Sequence, residues 1–194
     1  KYIERPLLLD NRKFDIRQWV LVRSASPLKV FMFSDCYLRL CDKEYDMGDL
    51  ANRQSHLSNF QVNEGGDAMS LAEFRGRLTQ MTGKSDVWET VVQPQLEAIV
   101  LATCKAARSS FVQRERSFEL CGFDLMLDAD LRLWLLEVNA NPDCRHQAPY
   151  LERMLQRMTR RLLEVACLGK EKPDGEEYDW LLLASESASG APSF

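Results

Sequence analysis

Residues 118–142 read FELCGFDLMLDADLRLWLLEVNANP. Two runs alternate apolar and polar residues on either side of Asp128-Ala129-Asp130, which predicts a β-hairpin with strands over 118–127 and 131–138. Glu137 and Asn139 are two apart, so both side chains leave the same face of the second strand. Asp124 joins them across the hairpin only if paired positions sum to an odd number, the parity that a two- or four-residue turn supplies. In that register Phe123, Leu125, Trp134, Leu136 and Val138 fall on the opposite face as an apolar core surface. Two acids and an amide converging on a buried sheet repel each other and are costly to desolvate unless a cation sits between them. Oxygen donors without His or Cys favour magnesium or manganese over zinc; Glu137 can bridge two ions while Asp124 and Asn139 each hold one. On spacing alone, the competing reading is three strand-end polar residues facing water.

A second strand pattern lies upstream. From Lys13 the run KFDIRQWVLV alternates and then turns wholly apolar, with Lys13, Asp15 and Arg17 on one face and Phe14 and Ile16 on the other. After a turn at 24–27, KVFMF and then 36–40 supply two more strands of an antiparallel meander. Lys13, Arg17 and Arg39 could grip phosphate oxygens, Arg by its planar fork and Lys as a point charge. Taken alone, KFDIR reads better as a self-neutralising surface ladder, since Asp15 stands between two cations and cross-strand ion pairs are common. The combination of basic strand and acidic hairpin points to nucleotide chemistry.

Between these strands and beyond them the periodicity is helical. Residues 42–83 are weakly patterned and contain Gly65-Gly66, with one helix expected over 70–81. A second runs from a start near Ser85-Asp86 to about 108, with Pro94 disturbing its beginning. A third, over 149–167, buries Leu151, Met154, Leu155, Met158, Leu162 and Val165. Its Arg153, Arg157, Arg160 and Arg161, with Arg145 before it, could steer an acidic partner or simply form a solvated face. After Gly169 the composition predicts an acidic, flexible tail in which Tyr178, Trp180 and 181–183 could dock as a short motif.

At 194 residues the chain has the length of one domain or a large piece of one. It is 45% hydrophobic and 28% charged, with mean hydropathy −0.31, as in ordinary globular domains. No run of about twenty apolar residues predicts a membrane span, and KYIERPLLLD is not a secretory signal. Lacking an initial Met, the chain reads as a fragment. The net charge of −4 resides in 169–194, where Lys170 and Lys172 face six acids, leaving 1–168 neutral and arguing against general nucleic-acid binding. The cysteines at 36, 41, 104, 121, 144 and 167 form no CxxC pair, and with only His56 and His146 a zinc site is disfavoured. Reduced thiols of a cytosolic protein are expected, with Cys121 and Cys144 as packing residues. His56 reads as structural or substrate-orienting, and Trp88 as core.

KYIERPLLL, RKFDIRQWVLV, YLRL, HLSN, FELCGFD and LLEVNANP, in that order across most of residues 1–142, resemble the tubulin tyrosine ligase-like family. YIERPLL, FDIRQW and the pattern around Val87-Trp88 look most like its glycine-adding branch. The resemblance implies an α+β fold, the C-terminal part of an ATP-grasp ligase with a mainly antiparallel sheet flanked by helices. The ligase portion would occupy 1–168 and the tail 169–194. The resemblance also implies an ATP-dependent enzyme that joins an amino acid to glutamate side chains of tubulin or microtubules. Lys1, Tyr2 and Ile3 would border the adenine. Lys13, Asp15 and Arg17 would serve the nucleotide and the acceptor carboxylate, and Arg39 the acyl phosphate or amino acid. Ser58, where relatives often carry Thr, and Asn59 would contact nucleotide or substrate. Asp124, Glu137 and Asn139 would coordinate Mg2+, or Mn2+. A monomeric protein of the cytoplasm and cytoskeleton, with the axoneme as one destination, and without nucleic-acid or membrane partners, completes the expectation.

This chemistry needs no protein nucleophile. A carboxylate does not condense with an amine in water because oxide is its leaving group; attack on the ATP γ-phosphate makes an acyl phosphate, from which the amine expels phosphate. Catalysis then consists of aligning charged reactants and neutralising their oxygens. The family's upstream phosphate-covering loop and lysines are absent from these residues, so an incomplete site is expected from them alone. Polyglutamylation, a non-catalytic microtubule-binding role and ligation of a small peptide or metabolite are the competing functions.

Overall fold

The computed structural model describes residues 2–63, 67–111, 117–144, 149–170 and 179–185. Among the described residues seven strands form one antiparallel sheet: β1 (Leu8–Leu9), β2 (Arg12–Ala25), β3 (Leu28–Glu44), β4 (Ala68–Ser70), β5 (Glu119–Leu127), β6 (Leu133–Asn139) and β7 (Trp180–Ser185). The order is β4-β3-β2-β5-β6, with β1 paired to β2 and β7 to β3. Helices α1 (Arg53–His56), α2 (Leu71–Thr82), α3 (Gln93–Ala106) and α4 (Pro149–Leu168) flank it, giving the expected α+β architecture.

The alternation along β2 divides the core. Its even side chains Phe14, Ile16, Val20 and Val22 join Leu38, Leu40, Phe123 and Leu125 beneath α2 and α3, where Phe74, Leu78, Trp88, Leu96 and Val100 close the layer. On the other face Trp19, Leu21, Phe31 and Phe33 pack against Leu151, Met154, Met158 and Leu162 of α4. The α4 apolar positions recur every three or four residues, so one stripe is buried while its arginines lie outside. Ser70 caps α2 by accepting from the Glu73 N–H, and Gly83 ends it in the left-handed conformation at φ 71°. Pro94 has no N–H to offer the ladder, and the turn before it widens to a π-helix at Trp88–Val92, where the Gln93 N–H reaches the Trp88 carbonyl.

Four sequence expectations change. The two strands expected over 29–33 and 36–40 are one strand, β3; a bulge places residues 33–35 opposite Trp19, between the pairs Gln18–Cys36 and Val20–Met32. Residues 180–185, within the expected flexible tail, form β7, anchored by Trp180 tilted against Phe33 at 5.2 Å and by the Ser34 N–H on the Asp179 carbonyl at 2.7 Å. Apolar burial outweighs the acidic composition there. Cys144 is exposed rather than packed, whereas Cys121 is buried.

The hairpin holds the fourth. Leu127 pairs with Leu133, leaving 128–132 as the loop and giving the even parity that would turn Asp124 away from Glu137. A bulge at Leu136 then inserts one residue, so that Asp124 pairs with Glu137, Phe123 with Val138 and Gly122 with Asn139. The acids meet as required, but through the bulge rather than the turn. Its consequence is that Trp134, paired with Met126, lies on the carboxylate face, and Leu136 joins Glu137 there. Only Phe123, Leu125 and Val138 remain opposite. Because β6 is an edge strand, Trp134, Leu136 and Val138 are 37–46% exposed, not core.

Candidate functional site

The face of β2 that carries Trp19 and Leu21 under α4 carries Lys13, Asp15 and Arg17 in its preceding turns of the pleat. All three are buried, as are Arg39 on β3 and Asp124 on β5. Ionisable groups are rarely so deep without partners. Arg39 forks onto Asp15, Nε to Oδ1 at 2.7 Å and Nη2 to Oδ2 at 2.6 Å, and its Nη2 also reaches Asp124 Oδ2 at 2.9 Å. Arg17 forks onto Asp124, Nε to Oδ1 at 2.5 Å and Nη2 to Oδ2 at 3.1 Å. Ser58, just after α1, donates to Asp15 Oδ2 at 2.6 Å. The expected ladder on KFDIR therefore exists, but it runs between strands and is buried.

Burial alone would raise the Asp124 pKa; the Arg17 hydrogen bonds and the charges of Arg39 and Arg17 outweigh it and hold the carboxyl below its usual range. Burial likewise works against the charge on Arg39, and the two carboxylates it holds more than offset that, leaving it firmly cationic. Lys13 lacks such a fork. Its Nζ stands 4.1 Å from the Tyr2 ring centroid and 5.7 Å from that of Tyr45, and burial lowers its pKa despite the opposing influence of Cys41 and Asp15.

His56 ties this corner together. Its Nε2 lies 2.9 Å from the Asp49 carbonyl, which can only accept, so in the neutral ring Nδ1 accepts from the Tyr2 hydroxyl at 2.7 Å. Tyr45 donates to the Glu4 carbonyl at 2.8 Å and packs edge-on against His56. The arrangement gives His56 a structural role, one of the two expected of it, and anchors the segment bearing Tyr2 and Ile3. Burial and the Tyr45 hydroxyl push the Tyr2 phenol up, so it stays protonated.

A cavity of about 260 Å³ opens over this face. Of the residues singled out from sequence, Tyr2, Ile3, Lys13, Asp15, Ser58, Asn59, Asp124 and Glu137 line it, beside His56, Leu57, Met126 and Leu136. Arg17, Arg39 and Asn139 stand behind the lining and connect to it through Asp124. Asn139 Nδ2 bridges Asp124 Oδ2 at 3.2 Å and Glu137 Oε1 at 3.3 Å. Lys1, Arg145 and His146 lie outside the described residues. A second hollow of about 210 Å³, between Tyr2, Ile3, Arg5, Asp128 and Trp134, adjoins the first through Tyr2 and Ile3.

Met126, Tyr45 and Gly122 go unmarked in the sequence, and Leu136 is expected on the opposite face. A bulge sets Leu136, and nothing in an isolated Tyr45 signals its contact. Gly122 carries no side chain where Arg17 passes: a Cβ there would stand 3.0 Å from Pro142 Cβ and 3.2 Å from Arg17 Cδ and Nη1. The glycine in FELCGFD thus gives Arg17 its path to Asp124.

Glu137 is exposed toward the cavity and is joined to Asp124 by the Asn139 amide nitrogen, so two carboxylates stand together as hard oxygen donors that suit a divalent ion of the magnesium type, and the Asn139 oxygen would join them only with its amide turned over. Three cations, Lys13, Arg17 and Arg39, already face three carboxylates, Asp15, Asp124 and Glu137. The cluster is balanced as it stands and suits a divalent ion that arrives with an anion, as a nucleotide phosphate would supply.

The sequence profile of the tubulin-tyrosine ligase family matches residues 1–174. The chain is 38% identical to tubulin glycylase 3E of Tetrahymena thermophila, over 85% of its own length and 13% of that protein's. It is 32% identical to tubulin monoglycylase TTLL3 of Danio rerio over 100% of its length and 27% of the relative's. It is also 32% identical to protein monoglycylase TTLL8 of Homo sapiens, over 86% and 21%. The chain thus spans about an eighth to a quarter of the length of these curated relatives.

Proposed function

The chain belongs to the tubulin-tyrosine ligase family, and on that premise we propose that it supplies part of the active site of an ATP-dependent ligase that joins glycine to glutamate side chains of tubulin. One observation carries the reading: the side chains that the resemblance assigns to nucleotide, metal and acceptor, brought from the segment before β1 and from β2, β5, β6 and the loop after α1, line or abut one cavity. The relatives named as glycylases support glycine over glutamate as the added amino acid.

In this reading Tyr2 and Ile3 border the base, and Lys1 would continue that edge. Lys13, held beneath Tyr2 in a water-poor corner, offers a point charge to phosphate oxygens. Asp15 works through Arg39: two hydrogen bonds and the Ser58 hydroxyl fix the guanidinium so that its remaining donors face the transferring group or the amino acid. Arg17 meets the acceptor carboxylate, and Asn59 contacts nucleotide or substrate. Asp124, Glu137 and Asn139 would hold Mg2+, or Mn2+, which when bound neutralises phosphate oxygens as they gain charge.

The test uses the full-length protein with ATP, magnesium, tubulin and radiolabelled glycine or glutamate. Glycine incorporation that disappears in Glu137→Gln, with the thermal melt retained, is the expected outcome. Label from glutamate would move the protein to the glutamylases, and incorporation unchanged in Glu137→Gln would remove Glu137 from the metal set.

A further inference from the structure

Asp124 faces two kinds of cation and cannot satisfy both at once. Its Oδ2 accepts from Arg17 Nη2, Arg39 Nη2 and Asn139 Nδ2, and its Oδ1 from Arg17 Nε. With two lone pairs per oxygen, Oδ2 is saturated and Oδ1 keeps one position, beside Arg17. A divalent ion placed there stands against a guanidinium on the same oxygen, and like charges a few ångströms apart in a buried site repel strongly.

The two arginines differ in what they would keep. Arg39 retains both of its hydrogen bonds to Asp15 if it lets Asp124 go. Arg17 has no second carboxylate among the described residues; beyond Asp124 it has the Trp19 ring at 5.8 Å. It is therefore Arg17 that a metal on Asp124 releases. The lack of a side chain at Gly122 lets the Arg17 side chain lie close against β5 while held.

We propose that Asp124 withholds Arg17 from the acceptor until a nucleotide-bound divalent ion takes its place, so that binding is ordered, nucleotide before the glutamate-rich acceptor. This rests on the ligase reading above. It makes Asp124 the element that couples the two substrates and Arg17 the group whose availability is switched.

The probe is a fluorescent oligo-glutamate peptide titrated with the full-length protein in three arms: no nucleotide, magnesium alone, and magnesium with a non-hydrolysable ATP analogue. The third arm should bind the peptide at least about tenfold more tightly than the other two, within the usual range for coupled sites. Reciprocity requires the peptide to tighten the analogue by the same factor, a calorimetric measurement that needs no variant. Asp124→Asn should bind the peptide tightly in the first arm and lose the dependence on nucleotide, and Arg17→Lys should bind it weakly in every arm. Equal wild-type affinities across the arms, with analogue binding demonstrated, would overturn the ordering and leave the ligase reading intact. So would an Asp124→Asn that tracks wild type. Absence of both peptide and analogue binding would overturn the ligase reading and the ordering with it.

Discussion

One face of the sheet contains two neighbouring halves built on the same strands by the same alternation. In one, Trp19, Leu21, Phe31 and Phe33 are sealed by α4; in the other, Lys13, Asp15, Arg17, Arg39 and Asp124 are sealed mostly by one another. Both halves are buried, yet the forces differ. The apolar half gains from area removed from water and tolerates imperfect geometry. The charged half offsets a desolvation penalty only while every fork is made, so it contributes little net stability but fixes its geometry closely. A sheet face can thus carry a reactive cluster at its edge because the adjoining half supplies the stability the cluster does not.

The contrast breaks most readily at Arg39. Arg39→Met leaves Asp15 and Asp124 buried without their shared partner and should cost about 3–5 kcal/mol in denaturant unfolding, whereas adding Asp15→Leu to it should recover a large part of that loss. If the double variant is as unstable as the single, the charged half stabilises the fold in its own right. In the apolar half, Met158→Ala opens a cavity beneath α4 and should cost about 2–5 kcal/mol while leaving the affinity for an ATP analogue unchanged, measured by calorimetry well below the melting temperature. A parallel loss of nucleotide affinity would join the two halves into one unit.

The smallest effect is in pH. The Asp124 carboxyl sits below its ordinary value of 3.8, so its contribution to stability is present above that value and is lost as pH falls through the folded-state pKa. Unfolding free energies measured from pH 5 downward should therefore drop more steeply for wild type than for Asp124→Asn, by about 1 kcal/mol for each unit of depression. Identical slopes would show that the arginines do not hold the carboxylate as the geometry implies.

Much of this was open to reading in the chain itself. Alternation gives the faces of β2 outright, and it puts Lys13, Asp15 and Arg17 together because period two is rigid. The α4 stripe follows from its spacing in the same way. Register is less legible. The bulges at 33–35 and at Leu136 carry no residue signature, yet they join two expected strands into one and move Trp134 and Leu136 across the sheet. Nor does spacing reveal how buried charges pair: Arg39 and Asp15 are 24 positions apart, and only the β2–β3 register makes them neighbours. Trp180 and 181–183 dock, as their apolar character allowed, but composition does not say that the receiving surface is the β3 edge beside Phe33.

The extra residue at Leu136 also insulates chemistry from variation. Pairing next to the 128–132 loop follows one count and pairing around Asp124 follows another, with the break lying between them. A loop that lengthens or shortens by a residue can take up the change on its own side of that break, while the acids beyond it keep their partners through β2 and β5. Drift in the hairpin's tip is thereby free to tune what surrounds the opening without disturbing the groups that do the work.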